Sequence, residues 1–360
     1  MIANDSNDSV RPIYYDQPRP AKQSRPVKHG APAPICHWSS VICHFSFVVP
    51  PSAIGYWLLR SVDCAKVPAY LIGMSTSYFA GCTVLVTGAS AGIGREFARQ
   101  LAPVVGTMIL VARRSERLEA LELELKVINP DLEVFYRALD LRNHDEVVKF
   151  CNWLEESGLA VDLLINNAGL GDRGRFIDSD WDKVNAMLRV NIEALTYLTY
   201  RILPSMRKSG CGAILNVSSV AGFAPVPTIA VYAATKAYVT SFSEALRAEL
   251  RSSNISVTVL CPGPVLTEFD SVAARSGAER PKTPDFVTIP VQRVVQEALA
   301  SVARDRPRLV PGIVLQMVVT LVLFVPMFLK RLIYDLQLRR EGAPRANLRP
   351  DLGAKMHSHI

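Results

Sequence analysis

The feature that most constrains this fold is a regular alternation of apolar runs and amphipathic stretches, which begins near Thr83 and continues to about residue 310. The predicted strands are 83–87, 108–112, 134–138, 163–166, 213–217, 256–260 and 308–310. The stretches with helical periodicity include 94–102, 118–128, 145–157, 181–206 and 231–251. Continuously apolar strands are typical of a sheet that is covered on both faces. The pattern therefore predicts an α/β fold with a single doubly wound parallel sheet and helices on both faces.

Composition and charge narrow the function classes. Of 360 residues, 49% are hydrophobic and 20% are charged, which supports a large core. The net charge of +7 comes from the flanks, because residues 1–73 contribute +3, residues 330–360 contribute +4 and the part between them is neutral. A neutral central part gives no basic face, so we expect no nucleic-acid partner. Seven cysteines without a CxxC pair indicate no disulfide framework and a cytoplasmic location.

The first part of the chain differs in character. Six prolines lie between Pro12 and Pro34, and no apolar periodicity accompanies them, so we predict disorder there. We expect 1–79 to be an extension outside the fold, and a start of the protein at Met74 is an open alternative. The apolar stretch 41–59 is interrupted by His, Pro and Gly, which makes it a poor membrane span. The cysteines and histidines of this part match no zinc spacing, so no metal is predicted.

The last part of the chain is predicted to be an apolar helix and a basic tail, 313–360, which follows a catalytic domain over 80–312. Residues 313–329 are apolar except for Gln316, Thr320 and Pro326, and lysine and arginine residues follow. Seventeen residues is the lower limit for a membrane span. A helix packed on the core or on a partner, or a membrane contact through 313–331 with basic residues at the head groups, stays open.

A glycine-rich turn follows the first predicted strand and precedes a predicted helix. In this arrangement, free backbone N–H groups at the helix start face a pyrophosphate, as in Rossmann-type nucleotide-binding folds. The spacing is GxxxGxG. The candidate cofactor-binding residues of the turn are Thr87, Gly88, Ser90, Gly92, Ile93 and Gly94.

The second predicted strand ends in two arginines, Arg113 and Arg114, where an NAD-binding protein would carry an acidic residue for the ribose hydroxyl. A guanidinium binds a 2′-phosphate, so this sequence favours NADP(H), with Ser90 and Arg113 as contacts. Asp140 follows the third strand and could accept a hydrogen bond from the adenine amino group.

Two further groups follow strand ends. Asn167, Ala168 and Gly169 come after the fourth strand, where short side chains allow a cofactor to approach the backbone. Ser219 follows the fifth strand; Tyr232 and Lys236 come later at a four-residue spacing, which places them side by side on a helix. A nearby cation favours the ionised form of a phenol, so this tyrosine can exchange a proton with a carbonyl or alcohol oxygen.

Together these residues resemble the short-chain dehydrogenase/reductase superfamily over about residues 83–267. The resemblance implies hydride transfer between a nicotinamide and a carbonyl or alcohol carbon, with Tyr232 as general acid or base. It implies that Ser219, Lys236 and Asn191 complete a catalytic set, the asparagine through a water-linked relay to the lysine. It implies a homo-oligomer, built through the regions 181–206 and 231–251. It also implies a nicotinamide-side segment that contains Pro262, Gly263, Val265 and Thr267.

The residues beside this site suggest a lipophilic small-molecule carbonyl or alcohol as the substrate. Segment 269–290 is expected to form a mobile lid. Two alternatives stay open, an NADP(H)-binding regulatory protein and a membrane scaffold without turnover. The apolar neighbours on which the expectation rests are Leu170, Phe223, Ala224, Pro225, Val226, Pro227, Ile229 and Phe269.

Overall fold

The computed structural model describes residues 77–265, 267–273 and 288–340. Several predictions therefore lie outside the described residues. These are the disorder of the N-terminal part up to residue 76, the alternative start at Met74, the cysteines and histidines of that part, most of the expected lid, and the end of the basic tail. The predicted extension 1–79 is too long by its last residues, because Phe79 is buried in the core.

Within the part of the chain that the structure describes, seven strands form one parallel sheet in the order β3-β2-β1-β4-β5-β6-β7. All seven predicted strands are confirmed, with ends that move by at most one residue. The order reverses between β1 and β4, and parallel sheets bind ligands at such a switch point. The strands are β1 Thr83–Thr87, β2 Thr107–Ala112, β3 Glu133–Ala138, β4 Leu163–Asn166, β5 Gly212–Val217, β6 Ile255–Leu260 and β7 Arg308–Leu309.

Helices follow nearly every strand, as parallel connections require. In the described residues from β1 onward, these helices are α1 Gly92–Leu101, α2 Ser115–Ile128, α3 His144–Glu156, α4 Trp181–Leu188, α5 Leu195–Ser209, α6 Ala230–Glu249, α7 Glu268–Ala273 and α8 Val291–Ala303. The last two are α9 Ile313–Phe324 and α10 Met327–Arg340.

The core consists of one apolar layer on each face of the sheet. Alternate residues of a strand enter opposite layers, as the two-residue period of a strand requires. Val84 packs with residues of α1, α2 and α8, whereas the next residue, Leu85, packs with residues of α3, α5 and α6. This division confirms the doubly wound sheet with helices on both faces.

The predicted helix 181–206 contains an interruption. A π-helical segment, Arg189–Ala194, separates α4 from α5, and Asn191 lies within it. A π-helical turn adds a residue to the hydrogen-bonded loop and often lies at a functional site. Helical periodicity alone predicts a continuous helix here, because the apolar face is kept on both sides of the turn.

The apolar segment 313–329 is not one helix. Val325 and Pro326 separate α9 from α10, and the two helices are bent by 109°. Proline has no backbone N–H and its ring clashes with the preceding turn, which explains the break. Within the described part of the chain, no single helix is long and apolar enough to cross a membrane, although the bent pair passes the same test when taken together.

Candidate active site

The glycine-rich turn between β1 and α1 is packed too closely for side chains. A β-carbon on Gly94 would lie 2.3 Å from the Gly88 carbonyl oxygen and 2.5 Å from Asn167 Nδ2. Gly92 has a φ of +54°, which L side chains rarely adopt, and a β-carbon there would meet Thr267 at 3.3 Å. The turn presents its backbone at the start of a ten-residue helix. This bare backbone at a helix N-terminus fits the pyrophosphate of a dinucleotide.

Thr87 and Asn167 join the ends of β1 and β4 at the switch point. The Thr87 hydroxyl oxygen accepts from the backbone N–H groups of Asn167 and Ala168, both at 3.0 Å. The Asn167 side chain donates to the Thr87 carbonyl at 2.9 Å. Thr87 is buried and so acts on the cavity through this network, which fixes the turn against the residues after β4.

The arginines after β2 lie at the same end of the sheet, but Arg114 rather than Arg113 is next to Ser90. Arg114 Nη2 lies 3.4 Å from Ser90 Oγ, and its other nitrogen lies 3.3 Å from Glu268. Arg117 binds the same carboxylate at 2.8 Å. Hydrogen bonds from Arg117 lower the pKa of Glu268. Arg113 also lines the cavity. The cationic pair was predicted from the sequence, whereas its acidic partner Glu268 was not.

Asp140 lines the cavity and is engaged by a neighbour. Arg142 Nε lies 3.0 and 2.9 Å from its two carboxylate oxygens. This hydrogen bonding lowers the pKa of Asp140, and the Arg113 charge adds to the effect. The carboxylate is therefore ionised at neutral pH.

Lys236 and Tyr232 lie on consecutive turns of α6, as their spacing predicts. The Lys236 ammonium is 5.8 Å from the Tyr232 ring centre and donates to the Val217 carbonyl at 2.9 Å. Lys236 is 4% exposed, and burial lowers its pKa from 10.5 to about 8. A β-carbon on Gly169 would lie 3.2 Å from the ammonium nitrogen, so a glycine at this position leaves room for the Lys236 ammonium group.

Asn191 connects the π-helical segment to both sides of the site. Its carbonyl oxygen accepts from the Leu170 N–H at 2.8 Å. Its amide donates to the Leu170 carbonyl at 2.9 Å and to Thr235 Oγ1 at 3.0 Å. Asn191 is 1% exposed, and within the described residues it does not line the cavity. It holds the loop segment that follows β4 against Thr235, the residue that precedes Lys236.

The two serines after β5 have different environments. Ser219 lies in the cavity wall, and its hydroxyl accepts from the Ala221 N–H at 3.1 Å. Ser218 also reaches the cavity, but its hydroxyl is engaged by the Lys236 carbonyl at 2.7 Å and by Thr240. The structure thus favours Ser219 as the polar group that is presented to a ligand, and gives Ser218 a role in fixing α6.

A single cavity of about 1540 Å³ brings most of the predicted residues together. Of the predicted site residues, only Thr87, Gly94 and Asn191 are outside its lining. Of the predicted apolar neighbours, Pro225 and Pro227 are outside it. Within the described ranges, no group of three or more potential ligand side chains could hold a metal ion. The predicted residues that line it are Gly88, Ser90, Gly92, Ile93, Arg113, Asp140, Asn167, Ala168, Gly169, Ser219, Tyr232, Lys236, Pro262, Gly263, Val265 and Thr267.

The C-terminal helices also line this cavity, which the sequence analysis did not predict. Leu315, Val318, Val319 and Val322 of α9 contribute, as does Tyr334 of α10. Their spacing of three and four residues marks one helix face, but the face is hard to recognise because nearly every residue of α9 is apolar.

Comparisons with known proteins agree with this geometry. Residues 82–276 match the short chain dehydrogenase family. Sulfoacetaldehyde reductase 2 of Chromohalobacter salexigens is 38% identical over 202 residues, which are 55% of this chain and 77% of that protein.

Two solved structures are also similar. A short-chain dehydrogenase from Sphingobium yanoikuyae, in complex with NADPH, has a TM-score of 0.60 and 30% identity, and covers 74% of this chain and 97% of its own. A bulky-bulky ketone specific alcohol dehydrogenase from Comamonas testosteroni has a TM-score of 0.56 and 26% identity, with 74% and 96% covered. The chain has a glycine-rich turn, carries Ser219, Tyr232 and Lys236 in one cavity, and matches the family model over more than half of its length. It therefore belongs to the short-chain dehydrogenase family, whose nicotinamide-dependent oxidoreductases act on alcohol or carbonyl groups.

Proposed function

We propose that this protein is an NADP(H)-dependent reductase of lipophilic ketones or aldehydes in which Tyr232 is the general acid. The observation that carries the proposal is the buried Lys236 ammonium on the same helix face as Tyr232, at the cavity wall. The nicotinamide supplies the hydride. Tyr232 donates the proton to the carbonyl oxygen, and the same residue accepts it in the reverse direction.

Lys236 and Ser219 support the proton transfer. The Lys236 pKa of about 8 keeps the ammonium as the major form at neutral pH. Its positive charge stabilises the tyrosinate that forms when Tyr232 gives up its proton. Ser219 donates a hydrogen bond to the carbonyl oxygen and orients it. Asn191, which fixes Leu170 and Thr235, positions the helix turn that carries the lysine.

The preference for NADP(H) rests on Arg113 and Arg114. Both arginines line the cavity, Arg114 lies next to Ser90, and the related Sphingobium enzyme is in complex with NADPH. A guanidinium beside a hydroxyl suits a 2′-phosphate. We assign Asp140 to the adenine end, the stretch Asn167–Gly169 to the cofactor backbone, and Pro262, Gly263, Val265 and Thr267 to the nicotinamide end.

A lipophilic substrate is supported by the apolar residues in the cavity wall and by the likeness to a bulky-bulky ketone specific alcohol dehydrogenase. A second candidate is a small anionic aldehyde. It is favoured by Arg173, which lines the cavity, and by the sulfoacetaldehyde reductase relative. The homo-oligomer, the cytoplasmic location and a membrane contact through 313–331 stay predictions.

The test is NADPH oxidation by the purified protein with lipophilic ketones and aldehydes and with sulfoacetaldehyde. We expect turnover of the lipophilic compounds, reduced by at least about a hundredfold in Tyr232→Phe because the proton donor is lost. The matched control is Tyr238→Phe, on the same helix and outside the cavity lining, which should retain full turnover. Tight NADPH binding without turnover of any compound would favour the regulatory alternative, and turnover of sulfoacetaldehyde alone would favour the second candidate.

A further inference from the structure

Helix α9 lies outside the residues that match the family, yet one of its faces is part of the cavity wall. Leu315, Val318, Val319 and Val322 recur at intervals of three and four residues. This spacing is that of a single face of an α-helix. From Leu315 to Val322 the face extends over about 10 Å. The cavity therefore has an elongated apolar side that the family's own motifs do not supply.

The position of this face is fixed by packing against the nicotinamide-side segment. Leu315 and Val319 are buried and cluster with Val259 and Cys261 at the end of β6. A β-carbon on Gly263 would lie 2.5 Å from a Leu315 methyl group, so the absence of a side chain there admits the helix. Helix α9 is thus held next to the part of the cavity assigned to the chemistry.

The cavity is larger than a pocket for one drug-sized ligand. Its value of about 1540 Å³ exceeds the ~300–1,000 Å³ typical of a pocket for one drug-sized ligand. The residues from Ile313 to Leu329 include no charged side chain, so α9 offers no ionic partner to a charged group of a ligand. Burial of apolar surface is then the main favourable contribution to binding on this side.

The cavity is open along the same helix. Val318 lines the cavity and is also 46% exposed, whereas Val322 is half-buried. Next to this opening, the outer residues of α9 are apolar and exposed, including Leu321 at 69% and Phe324 at 81%. A ligand that follows the helix can therefore extend past the cavity without meeting a charged side chain of α9.

From these observations we infer that α9 forms a subsite for an unbranched aliphatic chain, so that the substrate is a carbonyl compound with its carbonyl at Tyr232 and its chain along Leu315, Val318, Val319 and Val322. The inference rests on the proposed function and adds to it the class of substrate. A linear face of two helical turns matches an extended chain better than a compact ring system, which would leave much of the face uncovered.

The test compares butanal, octanal and dodecanal as substrates in the NADPH-oxidation assay. In the wild-type protein, kcat/KM should rise with chain length, by up to about fourfold for each fully buried methylene. In Val318→Asp, the loss should grow with chain length and exceed about tenfold for dodecanal, since the charge lies where the chain passes. Val322→Thr, which keeps the side-chain shape, should show a smaller loss with the same dependence on length.

The matched control is Met317→Asp, because Met317 is on the same helix, is 59% exposed and does not line the cavity. It should keep the wild-type chain-length dependence. Equal kcat/KM for the three aldehydes, equal effects of the two aspartates, or a preference for steroid-like ketones over all three would overturn the inference while leaving the reductase intact. If the wild-type protein binds NADPH but turns over none of these compounds, the proposed function itself is contradicted.

Discussion

The two sides of the cavity respond differently to an added β-carbon. At Gly94 on the cofactor side, the new atom would lie 2.3 Å from a backbone oxygen of Gly88. At Gly263 on the α9 side, it would lie 2.5 Å from one methyl group of Leu315, with the next atoms at 3.7 Å. A backbone atom held by a strand and a helix cannot move away, whereas the end of a leucine side chain can change rotamer. The glycine-rich turn therefore cannot accept a side chain, whereas the contact between Gly263 and Leu315 of α9 can adapt to one.

The largest effect is expected for Gly94→Ala. The contact with backbone forces the turn apart, so we expect a loss of about 3 kcal/mol in the free energy of unfolding and a loss of NADPH binding of more than tenfold. Urea unfolding and NADPH fluorescence titration measure the two. Gly158→Ala is the control, because Gly158 has a positive φ but no atom within 4 Å. It should cost about 1 kcal/mol and leave NADPH affinity unchanged. Wild-type affinity in Gly94→Ala would show that the turn can accept a side chain.

The next effect concerns Lys236, which lines the same cavity. Its pKa of about 8 in the folded protein is below the ordinary value of 10.5, because burial disfavours the charge. Between these pH values the unfolded chain binds a proton that the folded protein does not, so the free energy of unfolding rises with pH. Between these two pH values, deprotonation of Lys236 should raise the free energy of unfolding by about 3 kcal/mol in the absence of cofactor.

Urea unfolding of the wild-type protein and of Lys236→Met at several pH values measures this contribution. We expect the wild-type protein to gain stability relative to Lys236→Met as the pH rises from 8 towards 10, and the two to run parallel below pH 7. Parallel stability across the whole range would show that the ammonium is not desolvated.

A smaller effect is expected for Gly263→Ala. The Leu315 methyl group moves aside, so the loss in the free energy of unfolding should be about 1 kcal/mol. The double variant Gly263→Ala with Leu315→Ala should be no less stable than Leu315→Ala alone, since the clash is then absent. Urea unfolding of the four proteins measures the coupling. A loss as large as that of Gly94→Ala would remove the difference between the two sides.

The smallest effect is expected for Glu268→Gln. Glu268 engages Arg114 and Arg117 beside Ser90, where the 2′-phosphate is proposed to bind. Without the carboxylate, Arg114 is released, and NADPH should bind about two- to fivefold more tightly, as expected for an exposed ion pair. NADH, which has no 2′-phosphate, should change less, and Glu119→Gln on α2 serves as the control. If the affinities for NADPH and NADH change equally, the 2′-phosphate does not bind beside Arg114 and Ser90.

The difference between the two sides also explains how much could be predicted. The strands, the glycine turn and the pair Tyr232 and Lys236 follow from short-range patterns, because apolar runs and a four-residue spacing have the same meaning in any fold. The segment 313–329 was harder to interpret. Pro326 could have signalled the break, but an almost wholly apolar helix carries no pattern that identifies its inner face.

The sequence by itself determined the parallel sheet, its family and most of the cavity residues, since these depend on neighbours along the chain. Only the tertiary structure decided which distant groups meet: Asn191 with Leu170 and Thr235, Arg114 with Glu268, and α9 with Gly263. These contacts join residues that lie from about twenty to more than a hundred and fifty positions apart. Their formation depends on how helices pack on the finished sheet, and no local periodicity encodes that packing.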